Sequence, residues 1–471
     1  MASAAPSKNI DVLALADRPH WAVLRLAAPT VVAMVLQSLV NEIDVIFFKE
    51  LPGCEGSYAQ AALSPSLIMV WLFGGSLSAI GVGTQAHTAR RYAEKNFEGA
   101  GAVLANTMWF CLIAGLCTMA IGSVSIHFLL SRMIKVPETL AIAESYSRFR
   151  LLGIISMSMT IGVKSFFDGI GKTTIHFWAS LVMNIFNVLF CYMFIFGKLG
   201  APHMGAPGAG VGALTATWIG LAIVLYFAWG ERKTYKVFRR SNLSRKLIWD
   251  LVKLSAPAAA ATILMMAGFG VFVSFAGKLD SGLPRDACGG AAVNGAATTN
   301  IIALMKLTFT ACIGFGTATA TLVGQSMGKK RPELATRFGW ASVRVGLVIF
   351  GFIGFVEGVL STKSIIAFIT EAPAVQEAMY RPLQIMGVVT PIIAIAMILS
   401  EALFGAGSTK FVAGAQGLLV FGVLIPVAYV LSLQVGLGLP GMWIAAATYA
   451  VGAAITMSTK FAGGSWKKIQ L

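Results

Sequence analysis

Residues 24–48 read LRLAAPTVVAMVLQSLVNEIDVIFF, with Arg25, Glu42 and Asp44 as the only ionisable side chains. A helix of that length rises roughly 38 Å and outruns a hydrocarbon layer about 30 Å thick. The run therefore reads as a membrane span that carries two acids into its second half. Its opening, Arg25-Leu-Ala-Ala-Pro29, returns later in the chain as Lys253-Leu-Ser-Ala-Pro257. Each reads as a helix start with proline in the first turn, where the missing N–H costs nothing.

Three further pairs follow in the same order. Gly81-Val-Gly-Thr84 matches Gly314-Phe-Gly-Thr317, and Val136-Pro137 matches Ala372-Pro373. Phe167-Asp-Gly-Ile-Gly-Lys-Thr173 matches Leu403-Phe-Gly-Ala-Gly-Ser-Thr409. Four ordered matches at a nearly constant offset mark a duplication. Apolar runs lie at about 24–48, 59–86, 100–130, 141–166, 175–197 and 208–230, then at 255–276, 292–326, 338–360, 378–404, 412–434 and 440–460. The reading is an all-α membrane protein: twelve transmembrane helices in two six-helix lobes. Six is even, so the halves share one orientation and a pseudo-two-fold axis along the membrane normal. The implied division is a tail 1–20, a lobe 21–230, a basic interlobe linker 231–250, a lobe 251–460 and a tail 461–471.

Composition agrees: 57% of the chain is hydrophobic and 12% charged, against about 25% charged in a soluble domain. The formal charge of +16 would suggest nucleic acid on a soluble protein, but here basic loops explain it. Loops on the side of the termini hold 23 Lys and Arg and the opposite loops hold 7. That asymmetry puts both termini in the cytoplasm of a multi-pass protein of the cell's inner (plasma) membrane. The first twenty residues hold no apolar core of a cleavable signal, so the first span is expected to insert itself. Cys111, Cys117, Cys191 and Cys312 read as small hydrophobes, while Cys54 and Cys288 lie in outer loops that a disulfide would join only if the loops met. Five histidines with no HExxH, and no GxSxG elbow, argue against an enzyme. A channel has no need of a lobe repeat with buried titratable charges.

Leu36-Gln-Ser-Leu-Val-Asn-Glu-Ile-Asp44, Gly314-Phe-Gly-Thr317 running on to Leu322-Val-Gly-Gln325, and Gly405-Ala-Gly-Ser-Thr409 resemble the multidrug and toxic compound extrusion (MATE) family. Asn184 to Gly197 and Gly212-Ala-Leu-Thr-Ala-Thr217 are also similar, and the resemblance covers about 22–460. It places the chain in the multidrug/oligosaccharidyl-lipid/polysaccharide exporter superfamily. It implies two lobes around a cleft, and export of organic, drug-like compounds against inward proton or sodium flow, with no cofactor. The expected partners are a small organic substrate and membrane lipid, not nucleic acid, and the expected state is a monomer.

A charge at bilayer depth is costly, so buried polar groups are the site candidates. Gln37, Asn41 and Asp44 share one helix face. Asp44 either reaches the interface or takes and releases the coupling cation. Its hard oxygens can ligate sodium, and a buried carboxyl can also hold a proton near neutral pH. The family's first-span aspartate falls on this position. Asn184, Asn187 and Cys191 repeat the one-face spacing on the fifth run, where asparagine at depth also commonly joins helices. The resemblance adds Asn187 and Thr217 to the cation cluster and puts Cys191 where many members have a second aspartate. One carboxylate among neutral oxygens suits a proton better than a metal ion, so no metal site is assigned firmly.

In the second half, Lys306 lies too deep in its run to snorkel easily. Glu401 is its expected partner, either as a structural pair or as a charge switch at the substrate. A buried lysine also hints at zwitterionic, neutral or anionic cargo. The seventh-span glutamate of some members is absent, since 255–276 contains no acid. Asp168 reads as a turn salt bridge with Lys172 and Lys164, and Glu357 as interfacial. The rival function is a flippase for a lipid-linked or anionic metabolite, for which Lys306, Arg344, Arg148 and Arg150 would converge on the cleft.

Overall fold

In the computed structural model the description covers residues 16–52, 55–134, 136–237, 239, 242–280 and 293–469; the side chains at 39–42, 45, 49, 57 and 64 fall outside it. Cys54, Cys288 and the side chain of Asn41 therefore lie outside the described residues.

Among the described residues eleven helices are long and apolar enough to span, and a bent pair makes a twelfth span. The first six are α1 (Pro19–Lys49), α2 (Tyr58–Ala93), α3 (Phe97–Met133), α4 (Pro137–Leu152 with Ile154–Gly169), α5 (Thr173–Phe196) and α6 (Pro207–Gly230). The next six are α7 (Arg245–Leu279), α8 (Val293–Gly328), α9 (Pro332–Leu360), α10 (Pro373–Gly405), α11 (Thr409–Gln434) and α12 (Gly438–Ala462). Large apolar side chains such as Val124, Phe352, Phe368 and Leu418 stand exposed on the outside, as lipid-facing positions do.

Several ends are written locally. Asn96 caps α3 by accepting from the Gly99 N–H at 2.8 Å, satisfying one orphan donor of the first turn. Pro137 and Pro373 both sit in the first turn of their helices, as the repeat predicts. The other proline pair behaves differently. Pro29 and Pro257 lie inside α1 and α7, because those helices begin earlier, at Pro19 and behind a Ser244 side-chain cap on the Leu247 N–H. Nor is the run at 141–166 one straight helix: α4 bends by 48° at Gly153.

Within the first lobe α5 packs on α6, and α4 on α2 and α3; within the second, α10 packs on α8, α9 and α12. Glycine permits several of these approaches. A Cβ at Gly387 of α10 would lie 2.4 Å from the Gly358 Cα of α9, and small residues let helices meet backbone to backbone. The lobes meet where α8 lies against α1 and the second half of α2. Ala16 packs in the same cluster as the fully buried Trp466, which stacks on Phe461 at 4.8 Å. The described beginning and end of the chain thus share one end of the bundle, here termed the basic end.

Candidate functional site

Asp44, in the last four turns of α1, is buried. Its side chain turns into the first lobe, against the Cys191 thiol of α5, a side-chain hydrogen-bonding partner. That direction follows from the packing of α1 directly on α5. The thiol also lies 3.7 Å from Asn187 Oδ1 and 3.7 Å from the Ala209 carbonyl. Tyr146 of α4, fully enclosed, and Arg150 one turn on, 5.9 Å from its ring, complete the charged surroundings.

Gly212 makes this wall possible. A Cβ there would stand 2.7 Å from both the backbone nitrogen and the sulfur of Cys191, so only glycine lets α6 close on α5. Asn184, one turn from Asn187, is buried with its Nδ2 unpartnered among the described residues. Thr217 lies between Gly212 and Gly220, which face Cys191 and Met183, so it stands level with the asparagine turn. Its hydroxyl, however, donates to the Leu214 carbonyl at 2.8 Å and meets Ser156 Oγ at 2.9 Å. The structure thus joins Asp44 with Cys191 and Asn187, sets Asn184 and Thr217 beside them, and adds Tyr146 and Arg150, which sequence reading did not select for this pocket.

The second lobe separates its expected pair. Glu401 packs against Gly316, where a Cβ would lie 2.6 Å from its Cγ. Lys306 stands ten residues back along α8, about 15 Å at 1.5 Å per residue. No ion pair links them among the described residues. Glu401 instead faces a small cavity between the lobes, lined also by Gln85 and Phe404. Glu357 is buried rather than interfacial, accepting from Thr308 Oγ1 of α8 at 3.1 Å. The Gly354–Gly358 spacing carried that signal, because both glycines press α9 onto Gly387 of α10. Asp168 pairs with His176 Nδ1 at 2.9 Å, while Lys172 pairs with Glu231 and Lys164 donates to Ser180 Oγ at 2.7 Å. The predicted turn bridge is thus replaced by partners from the next two helices.

The repeated glycine motif has a further role. Gln85, directly after the first copy, donates to the Thr317 carbonyl at 2.8 Å and to Thr321 Oγ1 at 2.9 Å, in and beyond the second copy. Thr321 Oγ1 reaches the Asp168 carbonyl at 3.0 Å, and Gln325 Nε2 the Gly169 carbonyl at 2.9 Å. Arg90 donates to the carbonyls of Ala406 at 2.8 Å and Ile469 at 2.9 Å. Among the described residues these six are all the side-chain hydrogen bonds that join the first lobe to the second lobe and its tail, and all lie towards the basic end.

A two-lobed bundle joined at one end by polar side-chain bonds, with a buried carboxylate inside one lobe, has the architecture of a membrane transporter rather than an enzyme. The family model MatE matches residues 29–193 and again 257–430, so the chain belongs to the MatE family. It is 25% identical over 470 residues to a probable multidrug resistance protein NorM of Thermotoga maritima, covering 94% of this chain and 92% of that one. A second probable NorM, of Bradyrhizobium diazoefficiens, is 25% identical over 432 residues, covering 89% and 88%. Among solved structures, an outward-facing multidrug resistance MATE family transporter superposes with a TM-score of 0.84 at 20% identity, covering 98% and 99%. A MOP superfamily transporter from Pyrococcus furiosus, described as having a binding pocket of reversed polarity, gives 0.85 at 20% identity and 97% coverage of each chain.

Proposed function

We propose that this transporter exports drug-like organic compounds by alternating access, in exchange for a cation taken up at Asp44. The observation that carries the reading is the enclosure of Asp44 against Cys191 and Asn187 within the first lobe. A carboxylate there changes its protonation or ion occupancy without touching the substrate directly. Cation binding at Asp44 favours one orientation of the lobes and substrate the other, and the coupling is as large as each ligand's differential affinity for the two states. One carboxylate among an amide, a thiol and a hydroxyl favours a proton over sodium.

The names of the curated relatives support a drug-like cargo. The excess of basic residues supports an inner-membrane orientation with the basic end, and both termini, in the cytoplasm. The six seam bonds then close the cytoplasmic side. The chain is taken to work as a monomer. The flippase reading draws less support, because Arg148 is exposed and paired with Glu144, and Arg344 is exposed. Only Arg150 and Lys306 remain half-buried for a cationic cleft.

The test is dye transport in proteoliposomes with proton and sodium gradients imposed separately, using cationic and anionic dyes. Asp44→Asn should abolish gradient-driven transport while the protein stays folded. Undiminished transport by that variant removes Asp44 from the mechanism, and transport of anionic dyes alone favours the rival reading, a carrier of anionic metabolites.

A further inference from the structure

The basic end carries a second polar feature, away from the seam. Trp229, in the last turn of α6, and Arg232, Lys236 and Arg239 of the interlobe segment line a shallow, open concavity of about 300 Å³. The segment that forms it is held rather than loose. Tyr235 is fully buried and stands edge-on to Phe97 at 5.9 Å and Phe166 at 5.3 Å. Its carbonyl occupies the space beside Gly101, where any Cβ would lie 1.8 Å away. Asn106, fully buried on α3, donates to the Asn242 carbonyl at 2.7 Å and accepts from the Ser244 N–H at 2.9 Å. Asn242 in turn donates to the Lys236 carbonyl at 2.7 Å. Lys236 sits in the left-handed region, φ 48°, closing the short helix Arg232–Tyr235. A non-glycine residue in that conformation is uncommon and needs surrounding structure to hold it.

The charges on this cradle are not balanced. Arg232 lies over the Trp229 ring at 4.8 Å and donates to the Trp229 carbonyl at 2.8 Å. Lys236 and Arg239 share one carboxylate, Glu98, each at 3.0 Å. Three cations therefore face a single anion, and their side chains remain half exposed. The depth is fixed as well. Trp229 is exposed, and so are Trp21 and Trp249 near the ends of α1 and α7 on the same face. Tryptophans in that position mark the headgroup layer. One turn along α6, the exposed Tyr226 continues the surface towards the membrane interior.

We infer that this cradle binds the phosphate headgroup of an anionic membrane lipid. The phosphodiester sits among Arg232, Lys236 and Arg239, where the two guanidinium forks match its oxygens and the lysine adds a point charge. The acyl chains run past Tyr226 along α6. A soluble phosphate offers the same oxygens but has no use for the exposed aromatic track, so the occupant is a lipid.

The test is the melting temperature and lipid retention of the detergent-purified chain, titrated with phosphatidylglycerol, with phosphatidylcholine or with inorganic phosphate. The wild type should be stabilised and retain phosphatidylglycerol selectively. The double variant Arg232→Gln/Arg239→Gln should lose that selectivity by about tenfold or more in apparent affinity, since each cation near an anionic surface counts appreciably. Lys236→Gln, a milder change, should lose part of it. Lys329→Gln/Lys410→Gln, at other basic positions of the same end, should retain it. Equal selectivity in the Arg232/Arg239 variant, an equal loss in the Lys329/Lys410 variant, or full stabilisation by inorganic phosphate alone would each overturn the assignment.

Discussion

Gln85 of the first lobe donates its side-chain amide to the Thr321 hydroxyl of the second at 2.9 Å. The same amide nitrogen reaches the Thr317 carbonyl at 2.8 Å, so one residue supplies a third of the polar seam. Gln85→Ala removes both bonds. At about 1 kcal/mol net per bond, the open-seam population rises by roughly fivefold to thirtyfold. Labelling of Ala86→Cys, buried on the wall of the small cavity between the lobes, by a water-soluble maleimide, in a background without native cysteines, should speed up accordingly. Unchanged labelling would show that the seam does not depend on this residue.

Arg90 spans two carbonyls on separate segments, Ala406 and Ile469. Arg90→Lys keeps the charge but replaces a planar fork with a point charge, which cannot serve both acceptors well. A hydrogen bond from a charged group contributes about 1.5–3 kcal/mol. Trypsin should therefore cut after Lys460, Lys467 and Lys468 faster in the variant than in the wild type. Equal cleavage would mean that buried Trp466 alone anchors the tail.

Cys191→Asp would place a second carboxylate against Asp44. Paired carboxylates with amide oxygens suit a hard cation. Sodium should then raise the melting temperature of the variant, and a sodium gradient should begin to drive dye transport. Cys191→Ser, close in size and uncharged, should do neither. A sodium response identical in all three proteins would place the ion elsewhere.

Gly212→Ala tests the closure of α6 on α5. The new methyl would meet the Cys191 backbone nitrogen at 2.7 Å, an atom that cannot rotate away. Overpacking of this kind costs about 1–3 kcal/mol, so the melting temperature should drop. Gly414→Ala on α11 is the matched control, because nothing lies within 4 Å of its added methyl, and it should be neutral or mildly stabilising.

The spans were legible because lipid imposes a length and a composition on every helix, and 24–48 meets both. The duplication was legible because its copies are local: Gly81–Thr84 and Gly314–Thr317 each lie on one helix. What those copies do was not legible, since the Gln85–Thr321 bond joins residues from different halves and its geometry belongs to the assembled bundle. Asp44 stood out as an acid in an apolar run, but its direction depended on how α1 packs on α5. Lys306 and Glu401 looked like partners because opposite charges at depth normally pair. Registry decided otherwise, because Glu401 of α10 falls level with Gly316 of α8 rather than with Lys306. Glu357 was missed for a related reason: its flanking Gly354 and Gly358 bury it only because they meet Gly387 of α10, a contact between two helices.

The bend of α4 at Gly153 gives that helix two arms. One arm carries Tyr146 and Arg150 beside Asp44; the other ends in the Asp168 and Gly169 carbonyls gripped by Thr321 and Gln325. The joint itself rests against Thr217, whose hydroxyl holds Ser156 just past the elbow. Under the function proposed above, a change of charge at Asp44 acts on one arm of a crank whose other arm, equally long, ends in the latch at the basic end. Stiffening the elbow would leave both arms intact and disconnect the ion from the latch.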